Sequence, residues 1–196
     1  MSRSLLNYLD GVDRQELVAA SRRRRFARNE VLFHEGDPGE SLHVVMKGYV
    51  AILASTQLGD VVTLAVLGPG QAFGELALLN DDAVRTASAV ALDKVETLSW
   101  QRRQVDELRR SSPDVDRFLI ELLVEQVGRL SGLLVEALHL PVEARVLRRL
   151  SSLAELYDPE VDTVSVPITQ EDLASLAGTT RPTANRVLKE AESKGL

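Results

Sequence analysis

The sequence predicts an α+β protein in three parts: an N-terminal antiparallel β-roll of jelly-roll type, one long helix, and a C-terminal helix-turn-helix. Three observations carry that expectation. Six short β-type runs between Val31 and Leu98 are punctuated by glycines, as in antiparallel rolls and barrels. The stretch from Pro113 to Leu138 contains no internal proline and keeps a helical period throughout. Ile168 to Gly195 then reads as helix, glycine turn, helix. The expected units are 1–112, 113–138 and 139–196.

Bulk properties narrow the classes. A chain of 196 residues is long enough for two small domains, and 44% hydrophobic residues suffice for a core. The chain has no cysteine. That excludes a disulfide scaffold, a thiolate-held iron–sulfur cluster and a thiol nucleophile. No apolar run approaches the roughly 18 residues a membrane span needs. Met1 to Asp10 lacks the charged and apolar segments of a signal peptide, so a cytoplasmic protein is expected. A formal net charge of −6 argues against coating nucleic acid with the whole surface, but permits one locally basic element.

The roll opens with a short helical stretch, Leu5 to Ala20. The strand candidates are Val31–Phe33, Leu42–Met46, Tyr49–Leu53, Val61–Val66, Thr86–Ala91 and Val95–Leu98, with Gly36, Gly39, Gly48, Gly59, Gly68 and Gly70 between them. Arg22 to Arg25 form a run of four arginines. Such a run reads first as a solvated strand edge, and second as a contact for DNA or polymerase. Trp100, at the end of the roll, reads as core.

The long helix has Pro113 in its first turn and Ser111 or Ser112 as cap. It would span roughly 40 Å. Leu119, Leu123, Gln126, Leu130, Leu133 and Ala137 form one seam along it. Ile120, Val124, Val127, Ser131, Leu134 and Leu138 form a second, displaced by one residue. One seam can pack on the roll. The other needs a twin helix in a homodimer, or a second layer within a monomer. His139-Leu140-Pro141 reads as a hinge. A helix from Val142 to Tyr157 follows, with Val146, Leu147, Leu150, Leu153 and Leu156 on its apolar stripe. Asp158-Pro159 ends it, and Val161 to Val166 is strand-like.

In the last segment Thr169 caps a helix from Gln170 to about Ala177, with Asp172 placed for a capping box. Gly178 supplies the left-handed turn. Thr179 or Thr180 caps a second helix running to about Ser193. That helix offers Arg181, Thr183, Asn185, Arg186 and Lys189. Arginine can pair with O6 and N7 of guanine, and asparagine and threonine can reach base edges or phosphates. The alternative is a solvated helix face that happens to be basic.

In the roll, Phe73-Gly74-Glu75-Leu76-Ala77-Leu78 is followed by Arg85-Thr86-Ala87. Gly74 permits a tight turn, and Glu75 to Ala77 start a short helix with free amides. Arg85 offers a forked, permanent cation, and Thr86 a hydroxyl beside it. One acceptor, one cation and several amides together suit a sugar phosphate. A structural salt bridge between Glu75 and Arg85 uses the same two residues and stays open. No nucleophile–base pair stands out beside them, so no enzyme is expected. His34, His43 and His139 lack metal-ligand spacing, so no metal is expected.

These segments resemble the catabolite activator (CRP/FNR) family of bacterial transcription regulators. Glu35-Gly36-Asp37 with Leu42 to Gly48 looks like the family's first hairpin. Leu67-Gly68-Pro69-Gly70, Phe73 to Leu78 and Arg85 to Ala87 look like its phosphate-binding cassette. Ile168 to Leu188 looks like its helix-turn-helix. The resemblance implies a regulator of double-stranded DNA, acting as a homodimer with RNA polymerase as a further partner. It implies cyclic AMP as effector; cyclic GMP, another effector, or constitutive DNA binding are the alternatives. Glu75 would hold the ribose hydroxyl. Arg85 would neutralise the cyclic phosphate, with Thr86 and the amides near Leu76 and Ala77. The purine would lie against Leu130 and Ser131, Ser131 coming from the partner subunit, and Arg181 and Arg186 would read guanines. Two positions depart from the family. Leu130 stands where its cyclic-AMP receptors carry threonine, and Pro182 where its best-known members carry glutamate. The family continues with a small β-wing, and this sequence ends at Leu196.

Overall fold

The computed structural model describes residues 11–79, 84–157 and 165–195. After helix α1 (Gly11–Ala20) come β1 (Arg22–Phe26), β2 (Val31–Phe33), β3 (Ser41–Lys47), β4 (Val50–Ser55), β5 (Val61–Leu67) and β6 (Ala72–Phe73). Helix α2 (Glu75–Leu78), β7 (Ser88–Ala91) and β8 (Val95–Gln101) complete the roll. Helices α3 (Arg102–Ser111), α4 (Pro113–His139), α5 (Val142–Tyr157), α6 (Gln170–Leu176) and α7 (Arg181–Ser193) follow.

Two four-stranded antiparallel sheets form, in the orders β1-β8-β3-β6 and β2-β7-β4-β5. Their inner faces make one core. Phe26, Val45, Phe73 and Val95 of the first sheet meet Leu32, Val50, Ala89 and Ala91 of the second. The first sheet also buries its outer face, against helices. Leu42, Val44, Leu98 and Trp100 pack with Leu17 of α1, Val105 of α3, and Val115, Phe118 and Leu119 of α4. Burial on both faces explains why β3 reads as a continuous apolar run rather than an alternation. Trp100 is fully buried, and its indole nitrogen donates to the Leu17 carbonyl at 2.8 Å.

The arginine run is an edge strand. Arg22 to Arg25 are exposed, and β1 pairs only with β8, where Glu96 accepts from Arg25 at 2.9 Å. Charge on an edge strand discourages pairing with another chain.

Several elements differ from expectation. The sequence reading has no counterpart for α3 or the two-residue β6. The strand expected from Thr86 starts at Ser88, because the chain at Arg85 and Thr86 turns to a cavity. Ser165 and Val166 are not in a strand. The remainder of that expected strand, Leu5 to Asp10 and Asp158-Pro159 lie outside the described residues.

Helix α4 starts at Ser112 as cap with Pro113 in the first turn, and ends at Leu140 in extended geometry. Only its first turns are buried. Ile120, Val124, Val127, Leu134, Val135 and Leu138 are all exposed by more than half. The second seam thus has no cover within the chain among the described residues.

The third core joins α5, α6 and α7 through Val146, Leu153, Leu173, Ala174, Ala177, Ala184 and Val187. It touches the roll at Tyr49 and along β5, where Val66 packs against it. The Tyr49 hydroxyl donates to the carbonyl of Tyr157 at 3.1 Å, with the two rings stacked at 3.5 Å between centroids. The Thr63 hydroxyl on β5 donates to Asp172 of α6 at 3.2 Å, and the Thr63 amide donates to the Ser175 hydroxyl.

Candidate ligand cavity and nucleic-acid interface

A cavity of about 640 Å³ lies between the roll and α4. Its wall includes the β6–α2 junction, Arg85 to Ala87, β5, and the α4 stripe from Phe118 through Gln126 to Leu133.

Gly74 caps α2 with φ at 88°. A Cβ there would stand 2.5 Å from Nη1 of Arg85 and 2.8 Å from the Ser41 carbonyl. Only glycine combines that backbone with that approach. Arg85 is 4% exposed. Its Nη1 donates to the Gly74 carbonyl at 3.0 Å, and its Nη2 donates to both the carbonyl and the hydroxyl of Ser41 at 2.8 Å. Its guanidinium carbon lies 4.0 Å above the centre of the Phe33 ring. The Nε of Arg85 is buried without an acceptor among the described residues.

Ser41 belongs to a longer chain of polar groups. Its hydroxyl is 3.0 Å from Nε2 of His43, whose Nδ1 is 3.4 Å from the Thr97 hydroxyl. Burial, then the charges of Arg85 and Arg24, lower the His43 pKa to about 3. The ring is therefore neutral. One consistent arrangement has Ser41 donating to Nε2 and Nδ1 donating to Thr97.

Glu75 is 3% exposed. Burial raises its pKa; its own and the Gly74 backbone amides, with the charges of Arg85 and Arg129, pull the other way. Arg85 donates to Gly74 and Ser41, not to Glu75, so the direct salt bridge left open by the sequence does not form. Both residues line the cavity without pairing with each other.

Leu76, Ala77, Thr86 and Leu130 also line the cavity. Ser131 does not. It sits on the exposed side of α4, within the uncovered seam. The sequence reading missed Ser41, because it acts from a strand 44 residues away. It also missed Arg129, one turn of α4 beyond Glu125, which lines the cavity with it. The only available signal was helical spacing from Phe118, Leu122 and Gln126.

In the C-terminal unit, Thr169 caps α6. Its hydroxyl accepts from the Asp172 amide at 3.1 Å, and the Asp172 carboxylate accepts from the Thr169 amide at 2.9 Å. Gly178, with φ at 60°, makes the turn, and the Thr179 amide donates to the Ala174 carbonyl at 2.9 Å. Thr180 caps α7, and its hydroxyl is 3.1 Å from that of Thr183. Pro182 falls in the first turn, where a missing amide hydrogen costs nothing. Buried Ala174 and Ala184 bring α6 and α7 close.

Arg181, Arg186 and Lys189 are exposed, with Thr183 and Asn185 half-buried beside them. Asn185, Arg186 and Lys189 line an open groove along α7. Arg186 is engaged at both ends of its fork. Nη2 donates to Glu143 of α5 and Nη1 to Glu190 of α7, each at 2.9 Å.

Known proteins share this arrangement. The family model "Cyclic nucleotide-binding domain" matches residues 23–112, and "Crp-like helix-turn-helix domain" matches residues 144–196. The Cyclic AMP receptor protein of Thermus thermophilus is 35% identical over 179 residues, covering 89% of this chain and 78% of that protein. The CRP-like cAMP-activated global transcriptional regulator of Mycobacterium tuberculosis is 28% identical over 191 residues, covering 94% and 85%. The solved structure of the c-di-GMP responsive global regulator of Xanthomonas campestris superposes with a TM-score of 0.75 at 27% identity, covering 94% of this chain and 92% of that one. A roll with a glycine-arginine cassette, a long helix and a capped helix-turn-helix are thus joined in one chain, which belongs to the CRP/FNR family of transcription regulators.

Proposed function

We propose that this regulator is a homodimer whose DNA affinity is set by a purine cyclic nucleotide held between the roll and α4. The buried cation of Arg85 in the cavity wall carries this reading. A buried charge is costly unless it is paired, and a cyclic phosphate supplies charge and acceptors together. Gly74 lets the phosphate approach the backbone, and Thr86 with the amides of Leu76 and Ala77 completes its cradle. Glu75 accepts from the ribose hydroxyl. Cyclic AMP and cyclic GMP share ribose and phosphate, so this machinery holds either. Cyclic AMP appears in the names of both relatives described above.

The homodimer rests on the exposed seam of α4. Ile120, Val124, Val127, Leu134 and Leu138 repeat at three and four residues, the spacing of a helix packed on a twin helix. Pairing would bring Ser131 of one protomer toward the other's cavity. Arg181, Thr183, Asn185, Arg186 and Lys189 of α7 enter the major groove, with Thr169, Thr179 and Thr180 near the backbone phosphates. The working units are 1–112 for effector, 113–138 for dimerisation and 139–196 for DNA. A cytoplasmic location and contact with RNA polymerase follow from that role. Among the described residues no helix is long and apolar enough to cross a membrane.

The test is paired. Calorimetry with cyclic AMP and cyclic GMP compares the wild type with Arg85→Ala, and fluorescence anisotropy follows operator DNA with and without nucleotide. Nucleotide binding lost in Arg85→Ala, together with DNA binding that strengthens on saturation, supports the reading. DNA binding unchanged by nucleotide would leave a constitutive regulator instead.

A further inference from the structure

The cavity wall has two kinds of chemistry. Gly74, Glu75 and Arg85 serve a sugar phosphate. Ile52, Leu64, Ala65 and Leu67 of the β4–β5 hairpin, facing Leu130 and Leu133 of α4, make an apolar slot suited to a flat base. Arg129 stands beside that slot. Its Nη1 is 3.5 Å from the Leu64 carbonyl, the one acceptor it meets among the described residues and at the limit of a useful hydrogen bond. Burial lowers its pKa, with the nearby charge of Arg149 adding to the effect and Glu75 opposing it. A guanidinium nonetheless stays charged. Arg129 is exposed overall, so it is a cation at the solvent-facing rim of an apolar slot, with most of its donors hydrated rather than bound to protein acceptors.

A guanidinium donates and never accepts. Guanine presents two neighbouring acceptors, O6 and N7, which fit the fork. Adenine presents N7 beside an amino group, which the fork meets donor to donor. The other polar groups on the same α4 stripe do not reverse this preference. Gln126 carries both donor and acceptor and suits either base. Glu121 is turned to Arg117 at 3.2 Å. Glu125, one turn before Arg129, only accepts, and guanine's remaining edge offers donors from N1 and its amino group. Leu130, the next residue, has no hydroxyl to meet an adenine amino group.

We infer that Arg129 is the specificity-determining residue for the base and selects guanine over adenine. This rests on the reading of the cavity as a cyclic-nucleotide site. The same guanine edge is carried by cyclic GMP and by a cyclic guanine dinucleotide.

Titration calorimetry of the full chain with cyclic AMP, cyclic GMP and cyclic di-GMP separates these, using wild type, Arg129→Gln and Arg85→Ala. The wild type should bind a guanine ligand roughly tenfold or more tighter than cyclic AMP. Arg129→Gln, whose carboxamide pairs with the adenine edge, should remove or invert that ratio while cyclic AMP still binds. Arg85→Ala should weaken every ligand. Tighter binding of cyclic GMP or of cyclic di-GMP, lost in Arg129→Gln, supports the inference and names the source. A wild type that prefers cyclic AMP, or a ratio unmoved in Arg129→Gln, overturns it while dependence on Arg85 keeps the cyclic-nucleotide site. No binding of any nucleotide overturns both.

Discussion

Arg85 donates to Ser41 twice through one nitrogen, to its carbonyl and to its hydroxyl, both at 2.8 Å. The cation of the proposed phosphate site is thereby held by β3, 44 residues away in sequence, without a ligand. Such preorganisation reduces the cost of binding. Ser41→Ala removes one of the acceptors and keeps the carbonyl. Nucleotide affinity should fall about three- to tenfold, the worth of one net hydrogen bond of about 1 kcal/mol. Calorimetry on this variant checks it. Unchanged affinity would show that the Phe33 ring and the Gly74 carbonyl alone hold the guanidinium.

His43 makes stability depend on pH. Its folded pKa is about 3, against 6.5 for the free side chain. Between those values the unfolded chain takes up a proton that the folded chain refuses. The contribution is fully present above 6.5 and is lost as pH falls toward 3. The slope is about 1.4 kcal/mol per pH unit within that window. Urea unfolding at pH 7.5, 6 and 5 should show it, and His43→Gln should flatten the curve by about one proton. Equal slopes in both proteins would mean that other groups dominate.

The uncovered seam of α4 predicts its own disruption. Val127 and Leu134 are about 60% exposed within one chain, at 62% and 60%. Val127→Glu with Leu134→Glu should therefore leave the protomer's melting temperature nearly unchanged. Light scattering should report a dimer for the wild type and a monomer for the variant, and affinity for a two-half-site operator should collapse toward that for one half-site. A variant that stays dimeric would place the interface elsewhere.

Thr63 links the strand that lines the cavity to the helix-turn-helix. Leu64 and Ala65 line the cavity, while Thr63 reaches Asp172 and Ser175 of α6. Asp172 is also the capping-box residue of α6, so the same carboxylate holds the motif together and ties it to the roll. Thr63→Val removes the hydroxyl bond and keeps shape. Nucleotide affinity measured without DNA should shift, because the equilibrium between domain arrangements sets it. The ratio of operator affinities with and without nucleotide should change, because a link that favours one domain arrangement sets that ratio. A ratio identical to the wild type would make the contact incidental.

Legibility in the sequence followed the range of the interactions. Caps and turns are local, so Thr169, Asp172, Gly178 and Thr180 marked α6 and α7 to within a residue. The two seams of α4 were readable because helical spacing is local, and the sequence already placed Ile120 through Leu138 on a face needing cover. The exposed arginines of β1 likewise read as a strand edge. Helix α3 escaped because it carries only Val105 and Leu108 as apolar anchors, and a glutamine, Gln101, forms its capping box with Gln104. Strand β6 exists only through its register with His43 and Val44. Ser41, Arg129 and the clasp on Arg186 needed three dimensions, since each partner lies on another element or on an unremarkable polar face.

That clasp bears on DNA reading. Arg186 can pair with a guanine only by giving up or sharing its bonds to Glu143 and Glu190, both at 2.9 Å. The hydrogen bond from Arg186 holds the Glu143 carboxyl below the ordinary carboxylate range, so at neutral pH the clasp is ionised and opposes the approach of phosphate. Glu143 lies at the start of α5, two residues after Pro141 in the break between α4 and α5. A rearrangement at that break would alter the clasp directly. Glu143→Gln should raise operator affinity severalfold without nucleotide and leave nucleotide affinity untouched. Loss of any carboxylate near DNA has a general electrostatic effect, so Glu171→Gln, on the exposed first turn of α6, is the comparison. A gain confined to Glu143→Gln, and larger on guanine-containing operators, identifies release of Arg186. Equal gains in the two variants would reduce the clasp to bulk charge.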